Sequence, residues 1–135
     1  MSHIRPTSPH VTIYSWLMTN TLSILHRLTG FALAIGTILL VAWLVSAAYY
    51  PDAYYQIQEC MSSWIGRIAL LGWAAAFYYH LANGVRHLFW DIGKGYELDQ
   101  AHKTGVIVLL FTVGMTAYSW WVLCSATCQS GIAGV

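Results

Sequence analysis

The second half of the 135-residue sequence contains four residues whose spacing places all of them on one face of a helix. They are His80, Gly84, His87 and Asp91, which follow one another at intervals of four, three and four positions. Residues three or four apart in a helix lie on the same side. An imidazole can ligate haem iron, and a glycine one turn away leaves bare backbone beside a flat macrocycle. The spacing indicates a haem site, although small residues at this spacing also serve ordinary helix packing.

A second polar cluster lies earlier in the sequence and consists of Ser23, His26 and Arg27. Their spacing allows all three side chains to point into one pocket. Such hydrogen-bond donors suit the propionates of a haem, or the carbonyl of a quinone whose tail lies in the lipid. Spacing alone does not separate these ligands, and an Arg at the end of a membrane helix often only reaches the headgroups.

The composition indicates that the elements carrying these residues lie in a membrane. The chain is 58% hydrophobic and 8% charged, whereas about 25% of residues are charged in a soluble domain. Its aromatic share of 15%, with seven Trp and nine Tyr, suits anchoring at both interfaces of a bilayer. A formal net charge of +1 gives no support to nucleic-acid binding.

The apolar pattern predicts an all-α membrane protein with a single anchor domain over residues 1–135. Prolines and turn-forming residues predict an arm over about 1–15 outside the hydrocarbon. We expect three transmembrane helices at about 20–50, 63–90 and 105–127, each with the roughly 20 apolar residues that a bilayer requires. A short acidic loop follows the first helix. A second loop, over 91–104, contains Gly93 and Gly95 as helix stops.

The basic residues predict the orientation of these helices. Arg67 lies near the start of the second helix, whereas the side shared by the N-terminus and the second loop carries Arg5, Arg27, Arg86, Lys94 and Lys103. The positive-inside rule places the N-terminus in the cytoplasm and the C-terminus on the outer side. The N-terminal residues match neither a secretory signal nor a transit peptide. This favours a bacterial inner membrane over the mitochondrial inner membrane.

The polar residues of the second helix are expected at different depths in the membrane. His80 lies seven residues before His87, or about 10 Å along the helix, which makes it the candidate haem ligand. Arg86, His87 and Asp91 are expected at the membrane surface. The third segment contains no His, so we expect another chain to supply the second axial ligand.

The cysteines carry no haem-attachment signal. Cys60, Cys124 and Cys128 form no C-x-x-C-H motif. Packing roles are expected for all three, and a disulfide among them in an oxidising compartment is the alternative.

Three motifs then resemble the cytochrome b membrane-anchor subunits of succinate dehydrogenase, or succinate:quinone oxidoreductase. The stretch over 5–14, RPTSPHVTIY, is similar to the family's R-P-x-S-P-H arm. The stretch over 23–30, SILHRLTG, matches its S-x-x-H-R-x-[ST]-G signature. The stretch over 80–91, HLANGVRHLFWD, matches H-x-x-x-G-x-R-H-x-x-x-D. Together they occur in the family's order and nearly span the chain.

The resemblance implies roles for individual residues. His80 is at the position of a haem b axial ligand, with the other ligand from a second anchor subunit. Ser23 and Arg27 are at positions that line a ubiquinone pocket beside the iron–sulfur subunit. His26 is where haem propionates are contacted, and the positions near the haem edge or the quinone pocket are Arg27, Gly84, Arg86, His87 and Asp91.

The resemblance also implies a division of labour among subunits. FAD and iron–sulfur clusters would be held only by partner subunits, which oxidise succinate and pass electrons to the quinone. This chain would anchor them in the membrane and bind haem b in a helical bundle shared with the second anchor subunit. A fumarate reductase anchor working with menaquinone, and a purely structural anchor, are the alternatives.

Overall fold

The computed structural model describes residue 10 and residues 13–132, with side chains up to residue 125. Over these residues the chain forms four helices and no strand: α1 (Met18–Tyr49), α2 (Pro51–Ser62), α3 (Trp64–Asp91) and α4 (Leu98–Ile132). The all-helical prediction is confirmed. Most of the predicted N-terminal arm, including Arg5, and the side chain of Cys128 lie outside the described residues.

The helices are apolar enough for a membrane protein. Within the described ranges, α1 and the segment Leu98–Ser125 of α4 are each long and apolar enough to cross a bilayer. Helices α2 and α3 meet this criterion only as a pair, and they are bent by 82° between them. The structure therefore has two spans, or three if α2 and α3 count as one broken span. Only 6% of the apolar window in α1 and in α4 is buried, so most of their apolar surface is left for lipid or partner chains.

The acidic segment predicted as a loop after the first helix is the helix α2. Pro51 occupies its first turn together with Asp52, and both favour a helix start, because proline needs no amide partner there and a carboxylate complements the helix dipole. At the other end, Ser63 interrupts the helix with an extended backbone, and its side chain accepts a hydrogen bond from the Gly66 amide at 3.2 Å. The 82° bend follows at this residue.

The predicted loop over 91–104 is shorter in the structure, because α4 already begins at Leu98. Gly93 and Gly95 both have a positive φ, of 78° and 84°, a conformation that glycine adopts without steric cost. They end α3 as expected. The first turn of α4 then carries Asp99, whose carboxylate pairs with Lys103 at 2.6 Å. This pair one turn apart supports a helix start earlier than the apolar pattern alone indicates.

Helix α3 is the central element, because α1 and α4 both contact it more extensively than they contact each other. Its buried Tyr79 packs against Leu22 of α1 and Val108 of α4. The Tyr79 hydroxyl donates to the Leu22 carbonyl at 2.7 Å, and Tyr78 shares a hydrogen bond with Ser119 of α4 at 2.8 Å. The two tyrosines thus join α3 to both long helices through polar contacts that have no competing water in a bilayer.

Close backbone approach joins α1 to α3 deeper in the bundle. A Cβ atom at Gly36 would overlap the indole Nε1 of Trp73. The missing side chain is therefore what allows the indole to lie against α1. No atom lies within 4 Å of the equivalent point at Gly114.

The first prediction concerns this contact. We expect Gly36→Ala to destabilise the bundle by about 1–3 kcal/mol, the usual cost of overpacking, because the indole must move. Gly114→Ala is the matched control and should leave the melting temperature unchanged or slightly raised. Thermal unfolding of the protein assembled with its membrane partners measures both. Equal melting temperatures for the two variants would contradict the close contact.

Candidate functional site

The structure brings the two predicted polar clusters together at the contact between α1 and α3. The imidazole rings of His26 and His80 are stacked, with centroids 3.9 Å apart and planes inclined by 10°. His87 follows on the same face of α3, with its ring 5.2 Å from that of His26. Three histidines thus form a continuous row. Face-to-face stacking of His26 on His80 is a packing contact and does not place two ring nitrogens on opposite sides of one metal ion.

Hydrogen bonds determine which nitrogen of His80 carries the proton. Its Nδ1 lies 3.2 Å from the carbonyl oxygen of His26 and 3.3 Å from the hydroxyl of Thr29. A carbonyl can only accept, so Nδ1 must be the donor. The Thr29 hydroxyl is free to accept as well, because its own proton is directed to the carbonyls of Leu25 and His26 at 2.8 and 3.0 Å. The lone pair of the neutral ring is therefore on Nε2, which has no hydrogen-bond partner among the described residues.

Two glycines control the space around these rings. A Cβ atom at Gly30 would lie 3.0 Å from Cε1 of His80, so glycine is needed there for the observed ring position. At Gly84 the added atom would meet only Cε1 of His26, at 4.0 Å. A methyl group would therefore fit at Gly84 beside His26, and the role of Gly84 as bare backbone beside a macrocycle stays a prediction. Gly30 and Thr29 were missed as site residues, although both occur in the SILHRLTG stretch.

His26 and His87 complete the polar edge of the site. Nδ1 of His26 is buried and has no hydrogen-bond partner among the described residues. The His87 ring meets Trp90 edge to face, at 5.0 Å between centroids. His26 therefore retains an unused polar atom next to the ring stack, toward the end of α3 that leads into the loop.

Ser23 and Arg27 lie on α1 beside the histidines but do not form an enclosed pocket within this chain. Ser23 is half-buried and Arg27 is exposed. Neither side chain has a hydrogen-bond partner among the described residues. Asp91 is likewise exposed, at the last residue of α3. The expected convergence of Ser23, His26 and Arg27 on a common ligand therefore stays a prediction.

Arg86, which the sequence predicts at the membrane surface, has a side chain that is buried between α3 and α4. Only 5% of its surface is exposed. Its guanidinium donates from Nη2 to the Ala101 carbonyl at 2.8 Å and from Nε to the Thr104 hydroxyl at 3.1 Å. It also lies over the Trp90 ring, with Cζ 4.2 Å from the centroid. The early start of α4 supplies these acceptors, so the side chain turns inward toward α4.

Asn83 connects this arginine to the packed centre of the bundle. It is fully buried, and its Oδ1 accepts from Nη1 of Arg86 at 3.3 Å. Its amide nitrogen has no partner among the described residues. Position 83 is variable in the quoted motif, so the motif gave no signal for this contact.

The fold and the site define a class: a helical membrane subunit whose apolar surfaces are left uncovered and whose histidines lie between two helices. The chain belongs to the family of succinate dehydrogenase/fumarate reductase transmembrane subunits, whose family model matches residues 1–125. The resemblance found in the three sequence motifs is confirmed.

Individual relatives support the same assignment. The succinate dehydrogenase cytochrome b556 subunit of Rickettsia conorii is 45% identical over 116 residues, which cover 86% of this chain and 90% of the relative. The subunit of the same name from Paracoccus denitrificans is 41% identical over 109 residues, covering 81% and 84%. The mitochondrial cytochrome b560 subunit of Bos taurus is 40% identical over 111 residues, covering 81% and 66%.

The second prediction tests the inward position of Arg86. Thr104→Val removes the hydroxyl that accepts from Nε and leaves a buried donor with one acceptor fewer. We expect a loss of about 1–3 kcal/mol of stability, the typical cost of an unsatisfied buried donor. Thr37→Val is the matched control, because Thr37 bonds only the Leu33 carbonyl of its own helix. If both variants unfold at the same temperature, the hydrogen bond from Arg86 to Thr104 does not contribute to stability.

Proposed function

We propose that this chain is the membrane anchor through which a succinate dehydrogenase reduces ubiquinone, and that it holds haem b together with a second anchor subunit. The observation that carries the proposal is the hydrogen bonding of His80. Its Nδ1 is committed to the His26 carbonyl and to Thr29, which leaves the Nε2 lone pair for iron. Histidines that ligate metals commonly donate their other ring N–H to a carbonyl or carboxylate in this way.

The residues around His80 fit a haem. Gly84 leaves room for a flat macrocycle beside the row, and the unpartnered Nδ1 of His26 offers a polar contact at its edge. Within the part of the chain that the structure describes, no group of three or more His, Cys, Asp or Glu side chains could hold a metal ion. A haem, which brings four of its own ligands, needs only His80 here and a second axial ligand from the other anchor subunit.

Haem b, when bound, supplies one-electron oxidation and reduction. The side chains of this chain would hold and orient the haem. Thr29 and the His26 carbonyl hold the imidazole of His80 in one tautomer and one orientation, and Gly30 keeps the space for that ring free. His26, Arg27 and His87 would lie along the haem edge, where an imidazole or guanidinium can bind propionate carboxylates.

The ubiquinone site is proposed on Ser23 and Arg27. A hydroxyl donor and a fixed cation would stabilise the carbonyl oxygens of the quinone, which become more negative as electrons arrive. The exposure of Arg27 and the absence of a described partner for either side chain support this role. A site that is half open in one chain is suited to completion by a second, which here would be the iron–sulfur subunit.

The remaining partners follow from the same division of labour. A flavoprotein subunit with FAD and an iron–sulfur subunit would oxidise succinate and deliver electrons toward Arg27, from the cytoplasmic side that also contains the α3–α4 loop. The uncovered apolar faces of α1 and α4 would contact lipid and the second anchor subunit. The Rickettsia and Paracoccus relatives support the bacterial inner membrane as the location. The family description also covers fumarate reductases, so a menaquinone-linked enzyme running in reverse is the second candidate.

The third prediction tests haem binding. His80→Ala should abolish the Soret absorption of the complex purified from membranes, because the side-chain ligand to iron is lost. His102→Ala, at an exposed histidine on α4, is the control and should retain the full band. An unchanged Soret band in His80→Ala would exclude His80 as a ligand of the haem iron. A colourless wild-type complex would favour the purely structural anchor.

The fourth prediction tests the quinone site. Arg27→Gln should lower kcat/KM for ubiquinone by about 10-fold to 100-fold, the range expected for the loss of a charge-assisted hydrogen bond. Oxidation of succinate with a soluble artificial acceptor should stay unchanged, because that reaction does not pass through this chain. Arg67→Gln is the control, because Arg67 lies near the N-terminus of α3, at the end away from His87. Equal losses with both acceptors would show a defect in assembly and contradict a specific role for Arg27.

A further inference from the structure

A groove of about 390 Å³ lies between α3 and α4, at the end of the bundle that carries the loop between them. Its polar part is formed by Arg86, Trp90, Lys94, Gln100 and Thr104. Arg86 and Val85 line the groove. The histidine row lies on other residues of α3, and its rings contact His26 of α1. The groove is therefore lined by residues other than the histidine row, and the two meet where Trp90 packs on His87.

The buried guanidinium in this groove has no anionic partner. Arg86 is 5% exposed, and within the described residues the only ion pair joins Lys103 to Asp99. All three described hydrogen bonds of Arg86 go to neutral oxygen atoms, on Ala101, Thr104 and Asn83. A buried charge is costly without a counter-charge. A guanidinium has five N–H donors, so donors remain for an anion.

A second cation is held at the rim of the same groove. The backbone amide of Lys94 donates to the Phe89 carbonyl at 3.0 Å, and that of Gly93 donates to the Trp90 carbonyl at 2.8 Å. The Trp90 indole in turn donates to the Gly95 carbonyl at 3.0 Å. These bonds fold the loop back over the end of α3, which places the exposed Lys94 beside the groove. In the part of the chain that the structure describes, the side chain of Lys94 has no ion pair.

The remainder of the groove is apolar and is formed by side chains of both helices. Its wall consists of Ala82, Val85, Phe89, Ile107 and Val108. Val85, Phe89 and Ile107 are exposed in this chain. Two cations at one end and an apolar wall below them match a molecule with an anionic head and a hydrocarbon tail. Basic pockets between transmembrane helices are suited to such lipids.

We propose that this groove binds one anionic phospholipid, with its phosphate between Arg86 and Lys94 and an acyl chain against Val85, Phe89 and Ile107. The phosphate supplies the counter-charge that Arg86 lacks. The apolar wall favours a lipid over free phosphate, because inorganic phosphate gains nothing from hydrocarbon contact. The proposal does not depend on haem or quinone binding.

The experiment measures lipid bound to the complex purified with its partner subunits, by native mass spectrometry. The sample is first depleted of lipid in detergent and then titrated with phosphatidylglycerol, with phosphatidylcholine, or with inorganic phosphate. Lys94→Gln is the test variant, because Lys94 is exposed and its loss should not disturb folding. Lys103→Gln is the matched control, since Lys103 lies near the same loop but is paired with Asp99 and does not line the groove.

Phosphatidylglycerol should bind the wild-type complex more tightly than phosphatidylcholine. Lys94→Gln should weaken phosphatidylglycerol binding about fivefold, as expected for one basic residue at a membrane surface, and Lys103→Gln should leave it unchanged. Equal binding of the two lipids, or equal affinity in Lys94→Gln and wild type, would overturn the proposal. Displacement of the lipid by millimolar inorganic phosphate would also overturn it, since the apolar wall would then contribute nothing.

Discussion

The site depends on the hydrogen bond between Nδ1 of His80 and the carbonyl oxygen of His26. This bond crosses from α3 to α1, and at 3.2 Å it determines both the position of the ring and the nitrogen that carries the proton. The Thr29 hydroxyl supports it, and Gly30 leaves the ring enough space. Without this contact a histidine within an apolar bundle would be an unsatisfied polar group, which is costly where no water is available.

The other buried polar side chains of α3 also need hydrogen-bond partners where no water is available. They find partners on both neighbouring helices: Tyr79 bonds the Leu22 carbonyl of α1, and Arg86 bonds the Ala101 carbonyl of α4. The apolar side chains do the opposite and stay mostly exposed. Apart from a few buried nitrogen atoms, such as the amide nitrogen of Asn83, the inner polar groups are hydrogen-bonded, and the apolar surface is left outside. This arrangement is suited to lipid and to further helices, and it agrees with the chain's membership of a family of transmembrane subunits.

Helical spacing was enough to place His80, Gly84 and His87 on one face of α3, and it also predicted the polar cluster on α1. Spacing assigns residues to a face but does not say which helix that face meets. The stacking of His26 on His80 was therefore not predicted, and the need for glycine at Gly30 became visible only from the ring position. Arg86 shows the same limit. Its inward direction depends on acceptors in the first turns of α4, a helix whose start the apolar pattern placed seven residues too late.

Chemical rescue of His80→Gly tests the ligand assignment most directly. The purified complex of this variant is supplied with haem b and titrated with imidazole while the haem absorption and electron paramagnetic resonance spectra are recorded. If His80 ligates the iron, the variant lacks the low-spin spectrum of the wild type, and added imidazole restores it by occupying the cavity that the side chain leaves. A low-spin spectrum in His80→Gly without imidazole would contradict the assignment, because another residue would then be the ligand.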